Sequence, residues 1–240
     1  MIDLARQGGC WTVTLNRADK ANALTLGMLE ELNGIFEQAQ ADTDLRVLIV
    51  TGAGSRVFCA GADLGEARDA TSITTNPVWE QMSNRLANLP CLTIAALNGT
   101  LAGGGFSLAL ACDLRIAVPG ANFFYPVLRN GFLPQPSDVR RMTALIGPSR
   151  TRLILLAGQK LTANEALDVG LVDRLVPAES LTALVADLSD AALNARGETV
   201  TAIKRLGEAG LDDATRKDCY RAVYQDDVQA FARIRSSQSA

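Results

Sequence analysis

Apolar and polar positions in the first half of the chain switch between two periods. Trp11-Thr12-Val13-Thr14-Leu15 alternates as a half-buried strand does, and Arg46 to Thr51 is a continuous β-rich run. Between them Met28, Leu29, Leu32, Ile35, Phe36 and Ala39 recur at helical spacing, with Thr25 placed as the N-cap. Gly65 to Asn76 is polar and aperiodic and reads as a mobile loop. Pro77 then starts a helix with Trp79, Met82, Leu86 and Leu89 on its apolar face. Leu92 to Leu97 and Leu114 to Val118 read as strands, and Gly103-Gly104-Gly105 opens a short apolar helix through Ala111. Ser137 is expected to cap a helix that ends at Gly147. Thr162 and Glu165 have capping-box spacing, with Gly170 as the stop. From Glu179 the pattern is helical, broken at Gly197 and Gly210. The change from mixed to all-helical falls within 178–197 and divides the chain into 1–190 and 191–240. No internal repeat or low-complexity tract interrupts it.

Composition narrows the chemistry. With 48% apolar and 20% charged residues in 240, the chain can bury one large core without disulfides or a structural metal. A net charge of -3 gives no basic field for nucleic acid or an anionic membrane. The chain has no histidine, which excludes Ser-His-Asp and Cys-His catalysis and any His-ligated metal. Cys10, Cys59, Cys91, Cys112 and Cys219 are scattered, odd in number and never in a C-x-x-C pair, as expected of reduced structural thiols in a cytoplasmic protein. The start, Met1-Ile2-Asp3-Leu4, does not read as a signal peptide, and no uncharged apolar run reaches membrane-spanning length.

The glycines carry the strongest chemical signal. Gly52-Ala53-Gly54 follows a strand, but Val57 stands where a dinucleotide fingerprint ends and no helix start follows; there is no P-loop either. These glycines read as turns. Cys59-Ala60-Gly61-Ala62-Asp63 follows a strand and turn with side chains small enough for a ligand to approach the backbone. Gly103-Gly104-Gly105 begins a helix, where free N–H groups favour developing negative charge. If the fold brings the two segments together, two donors converge as an oxyanion hole for an enolate or tetrahedral anion.

At these residues the chain resembles the crotonase superfamily, the enoyl-CoA hydratase/isomerase family. Four stretches carry the likeness in order: Leu15-Asn16-Arg17 to Lys20-Ala21-Asn22-Ala23-Leu24; Val50-Thr51-Gly52 to Phe58-Cys59-Ala60-Gly61-Ala62-Asp63-Leu64; Asn98-Gly99 through the glycine run to Ala111-Cys112-Asp113; and Leu161-Thr162-Ala163 to Gly170-Leu171-Val172. The resemblance implies an α/β fold, a crotonase-type ββα spiral core with a C-terminal α-helical trimerisation region. It implies an acyl-CoA substrate, no other cofactor and no metal, and assembly as a homotrimer or dimer of trimers. It places the oxyanion hole at the amides of Ala62 and Gly104, and the CoA contacts at Lys20, Ala21, Ala23, Ala60 and Ala62. Asp63 and Asp113 read as structural, Asp63 capping the following turn.

The chain departs from the family at the proton-handling positions. Hydratases of the family use two glutamates; the matching positions are Ser107 and Val127. A position where some members carry an aspartate falls near Gln135. Three readings remain open: another crotonase reaction (double-bond isomerisation, decarboxylation or thioester hydrolysis), acyl-CoA binding without turnover, and weak hydration through Ser107 and a bound water. Tyr125, Gln135, Asp138, Glu66 and Asp69 are the candidate polar groups. Each has a bland alternative: Ser107 bonded to backbone on a buried helix face, Val127 as a pocket wall, Tyr125 as packing, Glu66 and Asp69 as solvated loop carboxylates. Asp138, one residue after the expected cap, is expected first to stabilise a helix start. Arg233 and Arg235 meet CoA phosphates or form a solvated basic face.

Overall fold

The computed structural model describes residues 1–63, 65, 73–207 and 210–224. The apolar runs at 10–15, 47–52, 92–97 and 114–117 form the middle of a six-stranded sheet. It comprises β1 (Ile2–Gln7), β2 (Cys10–Leu15), β3 (Val47–Gly52), β5 (Leu92–Leu97), β7 (Leu114–Ala117) and β10 (Arg174–Leu175), in that spatial order. Its strands are parallel except for the β1–β2 hairpin. A second sheet is formed by β4 (Val57–Cys59), β6 (Thr100–Ala102), β8 (Asn122–Phe124) and β9 (Leu161–Thr162).

The chain climbs between the sheets in repeated steps. β3 leads to β4 and then α2 (Val78–Ala87); β5 leads to β6 and then α3 (Phe106–Ala109); β7 leads to β8 and then α4 (Val127–Asn130). Each step places one strand in each sheet and then a helix, which is the ββα spiral. Parallel strands need such crossovers and are covered on both faces, so β5 carries a nearly unbroken buried run. α1 (Leu26–Ala41) buries the expected face, including Met28, Leu29, Leu32 and Phe36, and Thr25 accepts from the Met28 amide.

Buried polar groups fix the turns. Asn22 lies in the left-handed region, and its amide nitrogen donates to the carbonyls of Ala53 (3.0 Å) and Val57 (2.9 Å) while its oxygen accepts from the Arg17 amide. Asn98 does the same one step later, donating to Gly54 O and accepting from Gly52 N–H. At Gly99 an added Cβ would stand 2.3 Å from the Arg56 carbonyl carbon, so only glycine fits there.

One helix expectation is corrected. α5 (Pro136–Leu155) starts one residue before Ser137, with Gln135 at the N-cap; Ser137 instead donates its hydroxyl and amide to Glu80. Proline at the first helical position explains the shift, since its missing N–H costs nothing there. Gly147 has φ 80 and breaks α5 before Pro148, as the sequence indicated for the helix end. Gly197 opens α8 (Gly197–Leu206), so the helical region is divided there as expected. α6 (Ala163–Asp168) has the full Thr162/Glu165 capping box. α7 (Leu181–Leu193) runs through position 190 and packs on β3, β5 and β7, and α9 (Asp213–Val223) follows α8. Among the described residues, no helix is long and apolar enough to cross a membrane.

Candidate active site

The two small-residue segments meet. The bridge between Leu24 and Ala62 is parallel: Leu24 N–H bonds to Gly61 O and Asp63 N–H to Leu24 O, both at 2.8 Å. In such a bridge Leu24 engages the neighbours of Ala62, so the N–H of Ala62 itself points away from Leu24. On that other side lies the glycine turn. Gly61 has φ +96, and a Cβ built on it would lie 2.7 Å from Gly104 N and 3.0 Å from Gly103 Cα. Glycine at 61 is therefore what lets the two backbones touch. Neither the Ala62 nor the Gly104 amide has a hydrogen-bond acceptor among the described residues.

Both residues line one cavity of about 400 Å³, together with Lys20, Ala23, Ala60, Trp79, Tyr125, Val127, Phe132 and Gln135. Of the residues expected around CoA, Lys20, Ala23, Ala60 and Ala62 border this cavity. Ala21 does not; it lies at φ 53 and its carbonyl accepts from Ala60 N–H, which holds the segment from behind. Arg17 clamps the same segment, bonding Asp63 at 2.7 Å and the Ala23 carbonyl at 3.0 Å. Asp63 also accepts from Gly65 N–H, and Asp113 is tied to Thr93 and Lys204. Both aspartates have the structural role expected of them. Cys59 lies behind the site, and burial pushes its thiol up to about 12, so it offers no thiolate.

Behind the cavity wall lies a buried carboxylate. Asp138 stands in the first turn of α5, as expected. It is 1% exposed, and its Oδ2 accepts from Ser107 Oγ at 2.8 Å and from Tyr125 Oη at 2.9 Å. The other oxygen, Oδ1, is buried with no hydrogen-bond partner. Starting the helix at Pro136 turns Asp138 inward, and α3 and α5 pack so that Ser107 faces it. Ser107 thus bonds to a carboxylate, not to backbone; its own carbonyl accepts from Ser83. Burial pushes the Asp138 carboxyl up to about 6, opposed by the Ser107 and Tyr125 hydrogen bonds and the Arg141 charge. Tyr125 stacks on Phe106 (ring centroids 5.3 Å apart). Burial, followed by the Asp138 charge, holds the Tyr125 phenol well above its ordinary range. The Gln135 side chain donates to Thr74 O at 2.8 Å.

Ser107 and Asp138 lie outside the cavity lining, whereas Tyr125, Val127 and Gln135 form part of it. The Ser107–Asp138 pairing joins positions 31 apart, and no local sequence pattern signals it. Glu66, Asp69, Arg233 and Arg235 lie outside the described residues.

The repeated strand-strand-helix steps define a crotonase-type fold, and comparison with known proteins agrees. Residues 5–238 match the family model described as enoyl-CoA hydratase/isomerase. A carnitinyl-CoA dehydratase of Proteus mirabilis is 32% identical over 244 aligned positions, covering 100% of this chain and 92% of that protein. A short-chain-enoyl-CoA hydratase of Clostridium acetobutylicum is 32% identical over 183, covering 75% and 70%. The crystal structure of an enoyl-CoA hydratase from Bacillus anthracis superposes with a TM-score of 0.86 at 29% identity, covering 98% of this chain and 96% of that one. The chain belongs to the enoyl-CoA hydratase/isomerase family.

Proposed function

We propose that this protein binds an acyl-CoA thioester with its carbonyl oxygen between the amides of Ala62 and Gly104, which stabilise the enolate. The observation that carries this reading is the contact of the two backbone segments at Gly61, with Ala62 and Gly104 both lining one cavity and neither amide engaged among the described residues. Two preorganised donors in a partly buried site act on charge as it develops, with little reorganisation. Lys20, Ala21, Ala23 and Ala60 serve the CoA portion, three of them by bordering the cavity and Ala21 through the backbone bond that holds Ala60.

The reaction is a crotonase reaction other than hydration by paired glutamates. Hydration needs one group to activate water and another to deliver a proton. Ser107 and Val127 stand at the glutamate positions, and neither side chain ionises. The apolar wall at Val127 also favours a second reading, an acyl-CoA-binding protein without turnover. Family likeness supports assembly as a homotrimer or dimer of trimers, which light scattering on the purified protein checks.

Incubation with crotonyl-CoA separates the readings. Calorimetry measures binding, and mass spectrometry follows the addition of water in the same sample. Binding without hydration is expected. Hydration at ordinary enzymatic rates (on the order of 1–1000 per second) contradicts the assignment of Ser107 and Val127, and absence of binding contradicts the whole reading. Gly104→Pro is a poor substitute for this test. An added Cβ at Gly104 lies 2.6 Å from the Trp79 indole, so the variant disturbs packing as well as removing a donor.

A further inference from the structure

Asp138 is costly where it stands. It is a buried carboxylate with one oxygen unpartnered, held in a cluster that a structural residue would fill better with an amide or a hydrocarbon. Its neighbours show what it is connected to. Tyr125 both borders the cavity and donates to Asp138. Ser107 anchors the carboxylate from α3.

Resting on the thioester reading above, we propose that Tyr125 is the catalytic group that exchanges protons with the acyl chain, and that Asp138 is its buried proton acceptor. The carboxylate absent from position 107 is thus supplied from α5 and reaches the cavity through the tyrosine.

The step balances without a co-reactant. In a 3-enoyl thioester, a C–H bond at the α-carbon breaks and its electron pair enters a dienolate held by Ala62 and Gly104. The proton bonds to Tyr125 Oη as the Tyr125 hydroxyl proton passes to Asp138 Oδ2. Running the relay backwards onto the γ-carbon restores both side chains and leaves the 2-enoyl thioester. A relay ending in a single carboxylate removes and returns one proton, which suits a double-bond shift.

The charged and titratable groups around Asp138 are few. Glu80 on α2 raises its affinity for a proton, Arg141 on α5 lowers it, and Tyr125 adds a hydrogen bond; α3 contributes only the Ser107 hydroxyl. The ionised carboxylate is the accepting form, so the relay works above the pH at which Asp138 loses its proton.

The test uses 3-hexenoyl-CoA, with double-bond position read by NMR and binding read by calorimetry. The wild-type protein is expected to shift the double bond at a rate that rises with pH to a plateau above about 6. Tyr125→Phe keeps the ring on Phe106, and its rate is expected to fall by roughly 10²–10⁴ with binding retained. Asp138→Asn abolishes the pH-dependent rise. Ser107→Ala removes a bond to the charged form and moves the rise to higher pH, a signature a merely structural serine would not give. If Tyr125→Phe does not fold, the Ser107→Ala profile decides. A wild-type isomerisation rate in folded Tyr125→Phe, an unchanged profile in Asp138→Asn or Ser107→Ala, or a wild-type protein that binds without shifting the double bond would each overturn the relay. Absence of binding overturns the thioester reading beneath it.

Discussion

The two parts of the site are made of different material. The Ala62–Gly104 part is backbone: two segments touch because Gly61 has no side chain to hold them apart. The other part is side chain: Tyr125 on the cavity wall with Asp138 and Ser107 behind it, drawn from three separate segments. Backbone chemistry is bound to a local chain shape, so it stays at fixed positions in the sequence. Side-chain chemistry needs only that a functional group arrive at the right point, and it moves to another element when packing allows.

The most disruptive way to break the comparison is Gly61→Val. The new side chain is strained at φ +96 and driven into Gly104 N, so losses of about 1–3 kcal/mol for backbone strain and a similar amount for overpacking are expected. Thermal denaturation and crotonyl-CoA calorimetry together check that both stability and binding fall. Ser107→Glu is next. It brings a second carboxylate against buried Asp138, so one of the two must stay protonated. A drop in melting temperature at pH 7 that shrinks at pH 5 is expected.

Asp138→Asn sharpens the comparison in the opposite sense. The folded carboxyl holds its proton up to about 6 against an ordinary value of 3.8. Between those values the folded state binds more protons than the unfolded one, so its stability falls as pH rises through that window. Above it, the buried charge costs the fold at most about 3 kcal/mol. Asp138→Asn is therefore expected to raise the melting temperature at pH 7.5, with the gain disappearing near pH 4, while proton exchange is lost. The smallest effect belongs to the clamp at the backbone part. Asp63→Asn weakens a partly exposed ion pair with Arg17 and is expected to cost under about 1 kcal/mol in chemical denaturation.

This contrast also explains what was legible in the sequence. Helical spacing at Met28 to Ala39, the run at Leu92–Leu97 and the Thr162/Glu165 box are local patterns, and each corresponds to an observed element. The short strands β4, β6, β8 and β9 carry too few residues for a period, so only tertiary pairing defines them. In the site, small residues at 60–62 and 103–105 announced a close backbone approach. Asp138 was legible as an acid but was assigned to the start of a helix. Its inward turn depends on Pro136 opening α5 and on α3 lying opposite, and neither is a local property of the sequence. Ser107 was weighed as a missing glutamate without its new partner, because the pairing spans 31 positions.

The central claim is that polarisation by backbone amides and proton handling by side chains are separate functions at one cavity. Isotope-edited infrared spectroscopy of a thioester labelled with ¹³C at its carbonyl tests it most directly. Bound to the wild-type protein, the carbonyl stretch is predicted to move to lower frequency than in water, and to move equally in Tyr125→Phe and Asp138→Asn. An unshifted carbonyl in a bound complex, or a shift that vanishes with Tyr125, would contradict the account.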